Sequence, residues 1–235
     1  MSKKYVARDP RTGRSIGVSA RSKRSNVGIS GLSPDPGPWQ MLPLTEIVSL
    51  AKGDITKIEV PAESGNWNLG RIDAIKALHK VLERDADYAY EALVDALDDD
   101  YPDVRIAGLK SLPSFTLRRQ GILFQCLSDR LQDDNEDVRE EARNCLRKVV
   151  PVFPSGCEGI LRRELRDGRK EHRDNAFQSL QLASKYWPEV GCLHLDELIR
   201  EDDDDLRVRG SAILRTIAAK GGAQAWDLIS WSMQD

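Results

Sequence analysis

A pattern recurs along the chain every 34 residues, and this period restricts the fold more than any other feature. Each copy has an arginine, a small residue three positions later and a leucine seven positions later. The arginines are Arg71, Arg105, Arg139, Arg173 and Arg207; the small residues are Ala74, Gly108, Ala142, Ala176 and Gly210; the leucines are Leu78, Leu112, Leu146, Leu180 and Leu214. A fixed period of this size indicates stacked repeat units, each built from one small structural motif.

The spacing of the apolar residues predicts a helix around each arginine, which we call helix B of its unit. The small residue, the leucine and a further apolar residue ten positions on lie on one helical face. Residues five positions before each arginine can cap a helix, and most residues two positions before it are acids that favour a helix start. The expected caps are Asn66, Asp100, Asp134, Gly168 and Asp202, and the residues of the acid column are Leu69, Asp103, Asp137, Glu171 and Asp205.

A second apolar pattern precedes each cap and predicts a helix A. Its two columns are Leu93, Leu127, Leu161, Leu195 and Ile229, and then Leu97, Leu131, Leu165, Ile199 and Met233. Two such helices cannot bury their apolar faces alone, so neighbouring units must stack. The sequence therefore predicts an all-α, right-handed superhelix of about five helix pairs.

The two ends of the repeat region are less regular. The first helix A is expected over residues 41–51, with Gly53 after its end. Residues 54–60 alternate apolar and polar side chains, which favours a short strand or an extended loop. The stretch 53–65 is interpreted as an N-terminal cap or, alternatively, as a binding loop. The last helix A is expected over about residues 222–234, where the column of Trp226 predicts a core position. The column of Trp231 is otherwise polar, which predicts an exposed partner contact or, alternatively, a cap on the end of the solenoid.

At this point the chain resembles the HEAT repeat family, in particular the short HEAT-like repeats first associated with phycobilin lyases. The resemblance rests on two stretches with Asp-Val-Arg, a small residue and leucine at the same spacing, residues 103–112 and 137–146. It covers about residues 66–235 and implies the fold rather than one activity, because members act as scaffolds, bilin lyases, DNA glycosylases or hydroxylases. It also implies that acid and arginine columns pair between neighbouring repeats, so that the arginines are structural.

The N-terminal segment, residues 1–38, is predicted to be an extended basic arm that is disordered alone, and residues 39–235 to be the repeat domain. Eight basic residues face one acid in positions 1–33, so the net charge of −3 leaves about −10 for the rest. Such a composition cannot bury enough apolar surface to fold, and it favours contact with nucleic acid or acidic protein surfaces, or simply a solubilising tail. The arm residues predicted to contact the partner are Arg8, Arg11, Arg14, Arg21, Lys23 and Arg24.

Basic residues also recur on the side of helix B that is expected to be exposed. They lie mainly five, eight and nine positions after the arginines, in columns without acids. B helices line the concave face in the HEAT family, so the resemblance implies a mildly positive ridge that contacts an acidic ligand; a solvated helix face is the alternative. The ridge residues are Lys76, Lys80, Lys110, Arg143, Arg147 and Arg215.

No pattern in the sequence predicts catalysis. The three histidines lack metal-ligand spacing, the His-Glu pairs of the hydroxylase branch are absent, and His172 is interpreted as a semi-buried packing residue. The four cysteines form no CxxC motif and have no matching His spacing, which favours reduced thiols in a cytoplasmic protein and no metal or other cofactor. No apolar run approaches 18 residues, so we expect no membrane span. We therefore expect a non-enzymatic scaffold that binds a protein partner within a larger assembly. The alternatives are a nucleic-acid-binding solenoid and a bilin lyase-like protein.

Overall fold

The structure is a computed structural model that describes residues 39, 42–61, 66–82, 85–115, 120–198, 200, 203–219, 226, 227 and 230. Its helix pairs lie in a unit that runs over Pro43–Asp235. The predicted arm, including the six basic residues predicted to contact a partner, lies outside the described residues, and so does Trp231. Within the described part of the chain, no helix is long and apolar enough to cross a membrane.

Ten α-helices have defined bounds in the described residues, and they form five antiparallel pairs. They are α1 (Leu44–Lys52), α2 (Arg71–Val81), α3 (Ala86–Leu97), α4 (Pro102–Ser111), α5 (Gln120–Arg130), α6 (Glu136–Val149), α7 (Glu158–Glu164), α8 (Lys170–Tyr186), α9 (Pro188–Leu198) and α10 (Asp204–Ala218). Odd-numbered helices are the A helices, and even-numbered helices are the B helices. The predicted number of pairs is confirmed.

The pairs stack in sequence order, which makes the protein an α-helical solenoid. Each B helix packs against the next B helix, from α2 through α10, and α1 packs against α3, which packs against α5. The predicted columns form the core: Leu78, Leu112, Leu146, Leu180 and Leu214 are each at most 1% exposed, as are Leu93, Leu127, Leu161 and Leu195. Burial of these apolar side chains is the main favourable term that holds neighbouring units together.

The stretch between α1 and α2 contains the one β-hairpin of the described residues. Strands β1 (Lys57–Val60) and β2 (Trp67–Gly70) pair antiparallel, with Lys57 opposite Gly70 and Val60 opposite Trp67. The strand predicted within residues 54–60 is therefore present. The cap expected at Asn66 is wrong, because β2 continues to Gly70 and α2 begins at Arg71 itself. Gly53, with φ of +88°, ends α1 in the left-handed conformation, as expected.

The remaining B helices begin one residue later than the sequence predicted, and for α4, α6 and α8 the reason is a repeated turn. The side chain of the acid six positions before the anchor arginine accepts a hydrogen bond from the backbone N–H of the residue four positions before that arginine. The distances are 2.8–3.1 Å. The acids are Asp99, Asp133 and Asp167, and the donors are Tyr101, Asn135 and Arg169. This Asx-type turn leaves the later residue as the N-cap. The N-caps of α4, α6 and α8 are accordingly Tyr101, Asn135 and Arg169 rather than the residues before them. The N-cap of α10 is Asp203, also one residue later than predicted.

The anchor arginines close the same turns from the other side. Nη1 of Arg105 donates to the carbonyls of Asp99 and Asp100, at 2.8 and 3.0 Å. Arg139 and Arg173 repeat this pair of bonds to the equivalent carbonyls of their own units. The guanidinium thus satisfies carbonyls that the helix cannot.

Two arginines also join successive units. Arg71 Nη2 lies 2.5 Å from Asp99 Oδ2, and Arg105 Nη2 lies 2.7 Å from Asp133 Oδ1. The pairing between neighbouring repeats that the resemblance implied is therefore present at these two junctions. The acid of each pair lies six positions before the arginine of the following unit. The acid column predicted from the sequence lies only two positions before that arginine.

Candidate binding groove

A groove runs along three B helices, α4, α6 and α8. Its volume is about 660 Å³. The lining residues are Lys110, Glu141, Asn144, Arg147, Lys148, Gln178 and Leu182. Repeat spacing explains the arrangement, because Lys110, Asn144 and Gln178 occupy the same position in three successive units. Side chains at equivalent positions of stacked helices form one continuous surface.

The groove carries positive charge that its acid only partly offsets. Lys110 lies 3.9 Å from Glu141, whose side chain is 14% exposed. Arg147 instead uses neutral partners: its Nη1 donates to Gln178 Oε1 at 3.0 Å, and its Nη2 donates to Asn144. Lys148 is exposed and has no acidic partner within the described residues. Arg147 and Lys148 therefore present two uncompensated cations side by side.

The structure separates the six predicted ridge residues into three sets. It brings Lys110 and Arg147 together in the groove. Lys76, Lys80 and Arg215 are exposed on α2 and α10, outside the groove lining. Arg143 lies within α6 with 12% of its side chain exposed, where it donates to Glu136 at 2.9 Å.

A buried polar cluster lies where the third and fourth units meet, beside Arg143. Glu164 at the end of α7 is fully buried, and His172 in α8 is 1% exposed. His172 Nδ1 lies 2.5 Å from Glu164 Oε2, and Arg143 Nη1 lies 3.3 Å from His172 Nε2. A carboxylate only accepts and a guanidinium only donates, so these partners select the tautomer with its proton on Nδ1. The interpretation of His172 as a semi-buried packing residue is wrong. The side chain is buried, and both of its ring nitrogens have hydrogen-bond partners.

The same cluster replaces the regular arginine–acid pair of this junction. Arg139 bonds Glu136 in its own helix instead of reaching Asp167, which is the acid at the equivalent position. Asp167 is held by Arg169, whose hydrogen bonds keep the pKa of that carboxyl well below its usual range. Gln132 completes the cluster by donating to Glu164 at 3.1 Å and to Asp167 at 3.4 Å.

One oxygen or nitrogen each of Glu164, Asp167 and His172 lie within 4.8 Å of one another, the spacing of a possible metal site. Every one of these groups already has a protein partner, and two guanidinium groups stand against them. Cations in direct contact oppose the binding of a further cation. The cluster is therefore described as a hydrogen-bonded joint between two units.

The described cysteines are free thiols. Cys145, Cys157 and Cys192 are buried, and Cys126 is partly buried. Burial raises the pKa of the Cys157 thiol to about 12 and raises that of Cys145 as well. Since the thiolate is the nucleophile, these groups are unreactive in the folded protein.

Some groove residues were not singled out in the sequence as contacts. Lys148 occupies the same column as Lys80, nine positions after the arginines, but it was not among the six predicted ridge residues. Gln178 and Leu182 carry no charge, so a search for cations passed over them. At the far end of the stack, Trp226, Asp227 and Ser230 are helical, in agreement with the last helix expected there. Trp226 was predicted to be core but is 55% exposed, because no described helix pair packs over it.

No family model matches the chain, and no curated protein matches it. Among solved structures, the chain is similar to the HEAT-like repeats protein of the archaeon Thermococcus onnurineus NA1, at 15% identity over 82% of this chain and 76% of the other, with a TM-score of 0.44. It is also similar to a chain of the Kap95:Nup1 complex, at 13% identity over 87% of this chain and 29% of that one, with a TM-score of 0.48. A designed armadillo repeat protein in complex with the peptide (KR)4 matches at 17% identity over 83% and 100% of the two chains, with a TM-score of 0.36. The helix pairs of this chain themselves define its class, an α-helical repeat protein with a polar groove on its B helices.

Proposed function

We propose that the protein is a non-enzymatic scaffold that binds an acidic segment of a protein partner in the groove of α4, α6 and α8. The observation that carries this proposal is the pair of uncompensated cations, Arg147 and Lys148, beside the amides of Asn144 and Gln178. Cations of this kind attract carboxylates, and amides can hydrogen-bond the backbone of an extended peptide. A rigid helical scaffold holds these side chains in place before the partner binds, which reduces the conformational entropy lost on binding.

A protein segment suits the groove better than a nucleic acid. Residues 34–235 together carry a charge of about −10, which repels a polyphosphate at long range. Glu141 also lies in the groove between the cations. Nucleic-acid binding without base contacts depends on many phosphate contacts, and the groove offers three cations. Binding of a nucleic acid instead of a protein is one of the outcomes that affinity purification with nuclease treatment distinguishes.

The narrower likeness to phycobilin-lyase repeats stays a prediction from the sequence. The absence of catalysis is equally part of the proposal. The cytoplasmic location expected from the cysteine pattern belongs to the proposal as well.

We further propose that the protein works as a subunit of a larger assembly, with the basic arm and Trp231 as additional contacts. The support for this is sequence composition: the arm alternates basic residues with apolar ones and cannot fold alone. Limited proteolysis and light scattering test it. Protection of the arm only in cell extract supports the assembly, whereas a monomer whose arm is cleaved equally in extract and alone contradicts it.

The test of groove binding is affinity purification from the source cell with wild-type protein and the double variant Lys110→Glu/Arg147→Glu. Both residues lie at the surface, so the variant should keep its folding, which circular dichroism checks. We expect a protein that co-purifies with the wild type, resists nuclease and is lost with the variant. A control variant, Arg200→Glu, reverses a charge outside the groove lining and should retain the partner. A partner that the charge reversal leaves bound, or one that nuclease removes with a steep salt dependence, contradicts the proposal.

A further inference from the structure

An exposed apolar patch lies at one end of the groove. It consists of Val152, Leu182, Tyr186 and Trp187, which are 56%, 42%, 61% and 42% exposed. Scattered exposed apolar residues are common, but a cluster of four that includes two aromatic rings marks a contact site. Leu182 belongs both to this apolar patch and to the groove lining.

Repeat spacing places these residues beside one another and continues the groove by one helical turn. Lys148 and Leu182 are equivalent positions in successive units, as are Val152 and Tyr186, each pair 34 residues apart. Leu182 and Tyr186 are four residues apart in α8, so they lie on one helix face. Val152 lies in the turn after α6, where its N–H donates to the carbonyl of Val149 at 3.0 Å.

The aromatic rings of the patch are held by polar contacts. Trp187 Nε1 donates to the carbonyl of Pro151 at 2.9 Å, which ties the end of α8 to the turn after α6. The Lys185 ammonium lies 5.5 Å from the centre of the Tyr186 ring, a cation–π contact. A preformed aromatic surface loses little side-chain entropy on binding. The patch therefore suits an apolar side chain of a ligand.

We infer that the partner segment combines carboxylates with one large apolar anchor: the carboxylates contact Lys110, Arg147 and Lys148, and the anchor packs on Leu182, Tyr186 and Trp187. This inference rests on the proposed function and specifies its ligand. Charge complementarity fixes the acidic part, and the continuity of the apolar patch with the groove fixes the position of the anchor. Neighbouring helices lie about 10 Å apart, so a path from α4 to α8 is about 20 Å long, or about six extended residues.

The experiment is a display selection of random peptides of about 12 residues, roughly twice the span of the groove, on three forms of the full-length protein. These are the wild type, the anchor variant Leu182→Gln/Tyr186→Gln and the charge variant Lys110→Glu/Arg147→Glu. Glutamine keeps helix propensity at the two exposed positions, so the fold should persist. Tyr88→Gln is the matched control, because it removes from α3 a ring that is 55% exposed, close to the 61% of Tyr186.

We expect the wild type and the control to select peptides that carry several acids and a Trp, Phe or Leu within about six residues of them. The anchor variant should keep the acids and lose the apolar preference, and it should bind the best wild-type peptide about tenfold more weakly, which corresponds to about 1.4 kcal/mol. Acidic peptides without an apolar preference on the wild type would overturn this inference and leave the proposed function standing. Peptides without acids, or equal selection by the charge variant, would overturn both.

Discussion

Arg105 Nη2 lies 2.7 Å from Asp133 Oδ1, and this ion pair joins α4 to the turn before α6 in the next unit. The two side chains are only 8% and 3% exposed. Asp133 keeps a second guanidinium partner, Arg130, at 3.2 Å. Two stacked units are thus connected by a buried charged pair in addition to their leucine columns.

Replacement of this arginine should destabilise the stack strongly. We expect Arg105→Ala to lower the free energy of unfolding by about 3 kcal/mol, at the lower end for a broken buried pair because Arg130 remains. Arg139→Ala should cost about 1–2 kcal/mol, since its side-chain ion pair lies in its own helix and is more exposed. Urea denaturation measures both. Equal losses would show that the contact between units does not matter, and loss of partner binding by folded Arg139→Ala would contradict a structural role.

The leucine column makes a second prediction. Leu146 is fully buried, so Leu146→Ala should lower the free energy of unfolding by about 2–5 kcal/mol through lost burial and a residual cavity. Leu182→Ala in the next B helix is the control, because that side chain is 42% exposed and should cost less than about 0.5 kcal/mol. A loss below a few tenths of a kcal/mol at Leu146 would mean that the column does not face the core.

The joint between the third and fourth units should respond to acid. Hydrogen bonds from Arg169 hold the pKa of Asp167 below its usual range. A carboxyl with a lower pKa in the folded state stabilises the fold above its ordinary value of about 3.9, and this contribution fades as the pH falls below that value. We expect Asp167→Asn to be less stable than wild type near pH 7, with the difference shrinking from about pH 5 to pH 3. Urea midpoints across this range measure it, and a constant difference would refute the prediction.

The buried thiols give a fourth prediction. Burial raises the pKa of Cys145 and Cys157, so neither should react with a disulfide reagent in the folded protein. Variants that retain one cysteine each separate the signals, with Cys126 as the more accessible comparison. Reaction of Cys145 should require unfolding and accelerate with urea. Rapid reaction in the native state would mean that this part of the core is open.

The helix pairs could be predicted from the sequence because the same residue types recur at equivalent positions of successive units. A leucine that recurs at one position in five units, such as Leu146, packs in an equivalent environment in each unit. The register of the turns was less accessible. Whether Asp134 or Asn135 caps α6 depends on the hydrogen bond from Asn135 N–H to Asp133, which spacing alone does not reveal. The same limit misplaced the acids that pair with Arg71 and Arg105.

The site was predictable only in part, for a physical reason. Charge and repeat position identified Lys110 and Arg147, which do meet in one groove. Repeat position could not show that Arg143 would turn to Glu136, because that depends on the residue seven positions earlier. Nor could it show the Glu164–His172 pair, since both residues depart from the pattern of their columns. Departures from a repeat can be seen in a sequence, but their partners become evident only in three dimensions.

The central claim is that a protein segment lies in the groove of the B helices, and site-specific photo-crosslinking tests it most directly. A benzophenone amino acid replaces Gln178 in the groove or, as a control, Gln125 on α5, which is also exposed. After irradiation in the source cell, we predict one protease-sensitive, nuclease-resistant adduct from position 178, none from position 125, and loss of the adduct when Lys110→Glu/Arg147→Glu is added. Equal adducts from both positions, an adduct that nuclease degrades, or one that survives the charge reversal would contradict the account.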